Sequence, residues 1–222
     1  MRSVVAAILT AAALAVSVPV AAQPSSRPKI GVRAYGIFEG ESMLAEKSFK
    51  NILTTGQNSI TLVGAGAEVV NIWKGLFARI AATSSTDSGS RVLVDSAGTV
   101  YKLNIPVTIE LTPLEIGAGW RFNTKPSRGK TVMVSPYVGV AYVNQSYKET
   151  SSFAADEENT DVTDSGQAFF GGVEIGIRFV KIGIEAQYRS IPDALGVSGV
   201  SKTFNETNLG GTVFRLTFGV GF

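Results

Sequence analysis

The amino-acid sequence predicts an all-β protein, an eight-stranded antiparallel up-and-down transmembrane β-barrel with a polar lumen filled by side chains. Three observations lead to this prediction. Apolar residues alternate with small or polar residues at a period of two in eight segments. The connections between these segments are alternately long and short, which is typical of barrels with long extracellular loops and short periplasmic turns. Beyond residue 22, no apolar run has the length of a membrane-spanning helix.

The eight predicted strands each have one apolar face and one small or polar face. They cover residues 29–38, 59–70, 73–83, 105–122, 131–147, 167–179, 182–190 and 211–222. The last strand shows the pattern most clearly, with Phe214, Leu216 and Phe218 on one face and Arg215 and Thr217 on the other. In a membrane barrel, lipid would contact the first face and the lumen would contain the second.

The fourth predicted strand is irregular. Its apolar residues occupy odd positions up to Leu111 and even positions from Leu114 onward. A β-bulge at Thr112–Pro113 would explain the change, since a bulge adds one residue and tolerates a proline that lacks the N–H donor. The alternative is a tight turn at Pro113, which would divide the segment and give nine strands.

The connections after the first, third, fifth and seventh strands are predicted to be long loops. The first includes a predicted helix at residues 42–53 with Ser42 as its N-cap. The second includes a small hairpin at residues 91–103. The third contains an acidic stretch at residues 156–164, which we expect to be a solvated surface loop because it lacks the spacing of a calcium loop.

The start of the chain is typical of a secretory signal peptide. Arg2 precedes an apolar run, and small residues at 20–22 provide a cleavage site. A retained N-terminal transmembrane helix is the alternative interpretation. We predict a cleaved signal peptide at residues 1–22, a linker at 23–28 and the barrel at 29–222, located in the outer membrane of a diderm bacterium.

The charged residues of the strands collect on the face predicted to point inward. Eight strands enclose a space that side chains just fill, so charges there need partners or water. We therefore predict arginine–glutamate pairs and no wide pore. The predicted lumen charge network consists of Arg33, Glu68, Arg79, Glu110, Glu115, Arg121, Glu174, Arg178, Glu185, Arg189 and Arg215.

Composition excludes several classes of function. The chain has no His and no Cys, which removes the commonest general base and all thiolate chemistry. A paired carboxylate such as Glu110 with Glu115 could serve acid–base chemistry, but we predict no enzymatic activity and no cofactor. The formal net charge of +2 does not indicate a nucleic-acid partner.

Outward-facing aromatic residues are candidates for the girdles that membrane proteins place at the interfaces with water. Trp73, Trp120, Tyr142 and Tyr188 are predicted to have this role.

Several stretches resemble the small bacterial outer-membrane barrels of the OmpA/OmpX/OmpW type. They are residues 111–122, 135–142, 171–173 and 185–189 and the terminal Phe222. The resemblance implies that Phe222 is a recognition signal for the barrel-insertion machinery. It also implies contact with outer-membrane lipid and lipopolysaccharide, and we expect a monomer.

The functional prediction is an outer-membrane barrel with a non-enzymatic role in structure, envelope integrity or surface interaction. A narrow channel for ions or small apolar solutes is the first alternative. A secreted soluble barrel that binds a ligand is the second, and the charged lumen argues against it.

Overall fold

The structure is a computed structural model that describes residues 30–122, 132–151, 153 and 159–221. The predicted signal peptide, the linker and Phe222 lie outside these residues, so their assignments stay predictions. No helix within the described residues is both long and apolar enough to span a membrane.

Eight strands form one closed barrel in which each strand pairs antiparallel with its neighbours in sequence, and β1 pairs with β8. This confirms the predicted architecture. Two short helices lie in the loops. The elements are β1 (Gly31–Met43), α1 (Glu46–Ile52), β2 (Ser59–Val70), β3 (Leu76–Val94), β4 (Val100–Arg121), β5 (Val132–Thr150), β6 (Thr160–Ile177), β7 (Val180–Ser190), α2 (Gly199–Phe204) and β8 (Gly211–Gly221).

Strand β4 is continuous, so both the predicted bulge at Thr112–Pro113 and the nine-strand alternative are wrong. Its pairing with β3 and with β5 keeps one register through this site. Odd-numbered residues point inward along the strand, from Val107 to Arg121. The hydropathy pattern inverts because the interior changes from apolar to charged. The register shift in the β3–β4 pair lies instead between Ser90 and Val92.

Two of the four predicted long loops are largely strand. The β3–β4 pair continues to a connection at residues 95–99, and the β5–β6 pair continues to one at 151–159. The hydropathy pattern does not indicate these extensions, because polar residues occupy both faces of the strands there. The backbone hydrogen bonds that pair the strands do not depend on hydropathy. The connections after β1 and β7, residues 44–58 and 191–210, are loops as predicted.

The first loop contains a helix, but α1 is shorter than the predicted 42–53. Ser42 belongs to β1, and Ala45 occupies the N-cap position without a capping side-chain hydrogen bond. Helix α2, in the last loop, was not predicted.

Buried apolar side chains close the loop end of the barrel. Helix α1, the last loop and the upper parts of the strands all contribute to this group, which we call the apolar plug. Its main members are Met43, Phe49, Ile52, Ile60, Leu62, Ile109, Leu111, Tyr147, Leu195 and Leu209. The plug separates the interior below it from the loop surface.

Close packing inside the barrel leads to a prediction on glycines. A Cβ at the inward Gly139 would lie 2.5 Å from the carbonyl oxygen of Ala118 and closer still to the Phe170 ring. We expect Gly139→Ala to reduce the free energy of unfolding by about 1–3 kcal/mol, the usual cost of overpacking. The measurement is urea unfolding in detergent micelles.

The matched control is Gly171→Ala on the neighbouring strand, where the nearest atoms to the added Cβ lie at 3.6 Å. This control should unfold like the wild type. Equal stability of the two variants would contradict the packing described here.

Candidate functional site

Two groups of paired charges fill the interior below the apolar plug. The one nearer the short turns, the turn-side cluster, contains Arg33, Arg121, Glu68 and Glu174. Arg33 lies 3.1 Å from Glu68 and 2.6 Å from Glu174, and Arg121 lies 2.9 Å and 3.0 Å from the same two carboxylates. The result is a closed ring of two cations and two anions.

The second group, the loop-side cluster, lies directly beneath the plug. It consists of Arg79, Arg189, Arg215, Glu39, Glu41, Glu115 and Glu185. Its centre is Glu115, whose carboxylate oxygens lie 2.6 Å from Arg189, 2.7 Å from Arg215 and 3.3 Å from Arg79. Glu115 is 1% exposed, so its charge is neutralised by the guanidinium groups.

The other carboxylates of this cluster each contact at least one arginine. Arg189 lies 2.5 Å from Glu41, and Arg215 lies 2.6 Å from Glu39. The Thr83 hydroxyl also donates a hydrogen bond to Glu39. These contacts join β1, β3, β7 and β8 through side chains as well as through the backbone.

Aromatic rings lie between the two clusters. The Arg79 guanidinium stacks 3.5 Å from the Phe170 ring centroid, and Arg121 lies 4.9 Å from that of Tyr137 and 5.2 Å from that of Phe77. Phe77 and Tyr137 meet edge to face. The π electrons of the rings attract the guanidinium cations.

The structure brings nine of the eleven predicted network residues into these two clusters and leaves two outside. Glu110 has the outward parity of β4 and lies opposite Lys148 of β5. Its assignment depended on the bulge that does not exist. Arg178 would face inward if β6 continued, but the strand ends one residue earlier. Arg178 therefore lies exposed in the turn between β6 and β7, with a φ of 55°.

Glu39 and Glu41, both 0% exposed, belong to the network but were missed. The predicted first strand ended at Phe38, since the residues that follow read as a polar loop. The inward residues earlier in β1 occupy odd-numbered positions, as Glu39 and Glu41 do. Extending the predicted strand with the same alternation would have identified both glutamates.

Each loop helix has its N-terminus capped by a glutamate from elsewhere in the chain. The Glu206 carboxylate accepts hydrogen bonds from the N–H groups of Lys47 and Ser48 in α1. That of Glu149, on β5, accepts one from the Val200 N–H in α2. Anions are favourable at this end of a helix, so the two contacts hold the loops over the plug.

Glu149 also pairs with Arg91 at 2.5 Å and accepts a hydrogen bond from the Tyr147 hydroxyl. Burial raises the pKa of Glu149 above its ordinary value, against the opposing attraction of Arg91. This pair lies above the exposed apolar part of the barrel and was not part of the predicted network.

A small cavity of about 30 Å³ lies among the charged side chains of the lower interior. Arg33, Glu174, Lys181 and Thr217 are among its lining residues. Its volume admits about two water molecules, since one needs roughly 10–15 Å³. Within the described residues, no group of His, Asp or Glu side chains is arranged to hold a metal ion.

The four aromatic residues predicted for the girdles lie at the two ends of the apolar outer surface. Trp73, in the turn after β2, contacts Trp120 edge to face at 5.6 Å. Tyr142 and Tyr188 are 54% and 49% exposed near the loop end. Their role at a membrane interface stays a prediction.

No protein-family model matches the chain, and no curated protein sequence matches it. Neisserial surface protein A is a similar solved structure, with 14% identity over 86% of this chain and 95% of its own and a TM-score of 0.47. The Yersinia pestis attachment invasion locus protein Ail, solved with the heparin analogue sucrose octasulfate, has 11% identity, coverages of 87% and 100% and a TM-score of 0.45. The outer-membrane protein AlkL, solved in lipid bilayers, has 12% identity, coverages of 93% and 95% and a TM-score of 0.41. No conclusion about function follows from similarities this distant.

The two clusters lead to a prediction on Glu115. Glu115→Gln leaves three buried guanidinium groups without their shared carboxylate. Because breaking a buried ion pair costs about 3–5 kcal/mol, we expect a loss of that size in the free energy of unfolding, measured with urea in lipid vesicles. Glu110→Gln, on the outer face of the same strand, is the matched control and should change stability by less than about 0.5 kcal/mol. Similar losses in both variants would refute the assigned positions.

Proposed function

We propose that this protein is an outer-membrane β-barrel of a diderm bacterium with a non-enzymatic role in envelope integrity or surface interaction. The barrel would be a closed anchor that holds the loop surface outside the cell. The observation that carries the proposal is the filled interior, in which ion-paired charges lie beneath an apolar plug. The lack of His and Cys supports a non-enzymatic role.

The outer surface supports a membrane location. Large apolar side chains are exposed on every strand of the barrel. Examples are Ile80 at 47%, Ile116 at 57%, Val138 at 55%, Phe169 at 60%, Ile184 at 63% and Phe214 at 66%. A continuous apolar belt of this kind is unfavourable in water, while lipid-facing strands require it. It argues against the secreted soluble barrel.

A narrow channel is the second candidate, and the cavity among Arg33, Glu174 and Lys181 favours it. Water or a small ion at this place would be one step of a path through the barrel. Above it, however, a solute would have to pass both the loop-side cluster and the plug.

Planar-bilayer recordings separate the two candidates. We expect the refolded protein to produce no discrete openings, because the charged side chains have partners and the plug covers them. A heat-modifiability gel on the same sample verifies that the barrel is folded. Openings that disappear in Arg79→Gln or Glu174→Gln and persist in Glu110→Gln would establish the channel instead.

A second prediction tests the membrane location. Ile184→Arg places a charge on the apolar belt, which would reduce stability in lipid vesicles by about 2–4 kcal/mol near the bilayer centre. The control, Thr61→Arg, changes an exposed residue on the loop side of the belt and should have little effect. If Ile184→Arg is also neutral and the native protein is recovered without detergent, the barrel is soluble.

A further inference from the structure

The loop-side cluster has more carboxylates than guanidinium groups. It contains four glutamates and three arginines. Arginine stays protonated in proteins, so the cluster would have a net charge of −1 if every carboxylate were ionised. The turn-side cluster, with two of each, is balanced.

The other interior charges lie toward the short turns, away from Glu41. Arg33, Glu174 and Lys181 line the cavity beside Arg79, Glu185 and Arg215, and none of the three is among the charged groups around Glu41. The loop-side cluster is covered on one side by the apolar plug and uncharged glutamines, and on the other by aromatic rings and the small cavity. Its seven residues are at most 6% exposed. Because an unpaired ionised group in such surroundings is strongly unfavourable and takes a proton instead, one carboxylate of the four is expected to be neutral.

The contacts identify Glu41 as that carboxylate. Glu115 contacts all three arginines, Glu185 contacts Arg79 and Arg215, and Glu39 contacts Arg215 and accepts the Thr83 hydrogen bond. These carboxylates are each stabilised as anions by two or more donors.

Glu41 has less support. Only its Oε2 atom has a partner, Arg189 at 2.5 Å, and its buried Oε1 atom has none. Arg189 is also shared with Glu115 at 2.6 Å and with Glu39 at 3.7 Å. The residues beside Glu41 in the sheet, Ile60 and Val213, are apolar.

We propose that Glu41 is a proton-binding site of the barrel interior and carries a proton at neutral pH. The proton resides on Oε1, and Oε2 still accepts the hydrogen bond from Arg189. The charged groups around Glu41 are Glu39 of its own strand, Glu115 of β4, Arg189 of β7 and Arg215 of β8. With this proton, three anions face three cations and the cluster is neutral.

The proposal has a consequence for the pH dependence of folding. In the unfolded chain, a glutamate is ionised above about pH 4.3. Folding at higher pH therefore takes up one proton at Glu41. Each pH unit above that value raises the unfolding equilibrium constant up to about tenfold through this site, until the folded state itself releases the proton. Stability is lost as pH rises.

The test is urea unfolding of the full-length protein in lipid vesicles at pH 6, 7 and 8. Glu41→Gln resembles the protonated acid and has no proton to take up. We expect it to be at least as stable as the wild type at pH 8, with a ratio of the two unfolding constants that changes up to tenfold per pH unit. If Glu41→Gln is instead about tenfold or more destabilised at every pH, Glu41 is ionised and the proposal is wrong.

Glu39→Gln is the matched control, two residues away on the same face of β1. It removes an anion that contacts Arg215, so it should be less stable than the wild type throughout. With Glu39 removed, three carboxylates remain for three arginines, so Glu41 can ionise and the pH dependence should be weaker than in the wild type. Loss of this pH dependence in Glu39→Gln alone would assign the proton to Glu39 and overturn the proposal.

Infrared difference spectroscopy gives a readout independent of stability. The wild type minus Glu41→Gln spectrum at pH 7 should contain the C=O stretch of a protonated carboxylic acid. A carboxylate band in its place, together with a wild-type stability that depends on sodium, would show that a cation and not a proton neutralises the cluster.

Discussion

Each of the five arginines in the two clusters shares its guanidinium group with at least two glutamates, and this sharing makes the interior possible. Eight strands leave room for one layer of side chains across the barrel. Arginine and glutamate are long enough to meet near the axis, and neither is tolerated there alone. Because the partners come from different strands, the pairing fixes how strands that are not neighbours face one another.

The interior thus has two parts with different chemistry. Charged groups fill the part within the apolar belt, and apolar groups fill the part beneath the loops. The plug also accounts for the loop helices, which are too short to be stable alone. Helix α1 packs Phe49 and Ile52 into the plug, and Glu206 satisfies its first N–H groups. The two loops therefore stabilise each other.

The sequence was sufficient for the strand number and the inward face, because alternation identifies both, and for the antiparallel order, because short connections join antiparallel neighbours. It was insufficient where both faces of a strand have similar polarity. For this reason, the strand at Glu39 and Glu41 and the outer parts of β3 to β6 were not predicted. Glu110 was misplaced because a change in interior chemistry resembled a bulge. The partners within the clusters depend on geometry across the barrel, which no local pattern contains.

Glu39 and Arg215 lie opposite each other where the first and last strands meet. An assembly intermediate in which the eight strands form seven pairs, with β1 and β8 still apart, would leave both charges without their full set of partners. Pairing of β1 with β8 therefore forms the last backbone hydrogen bonds of the barrel and completes the loop-side cluster in a single event. Partly assembled states are disfavoured, and barrel formation becomes cooperative through its side chains.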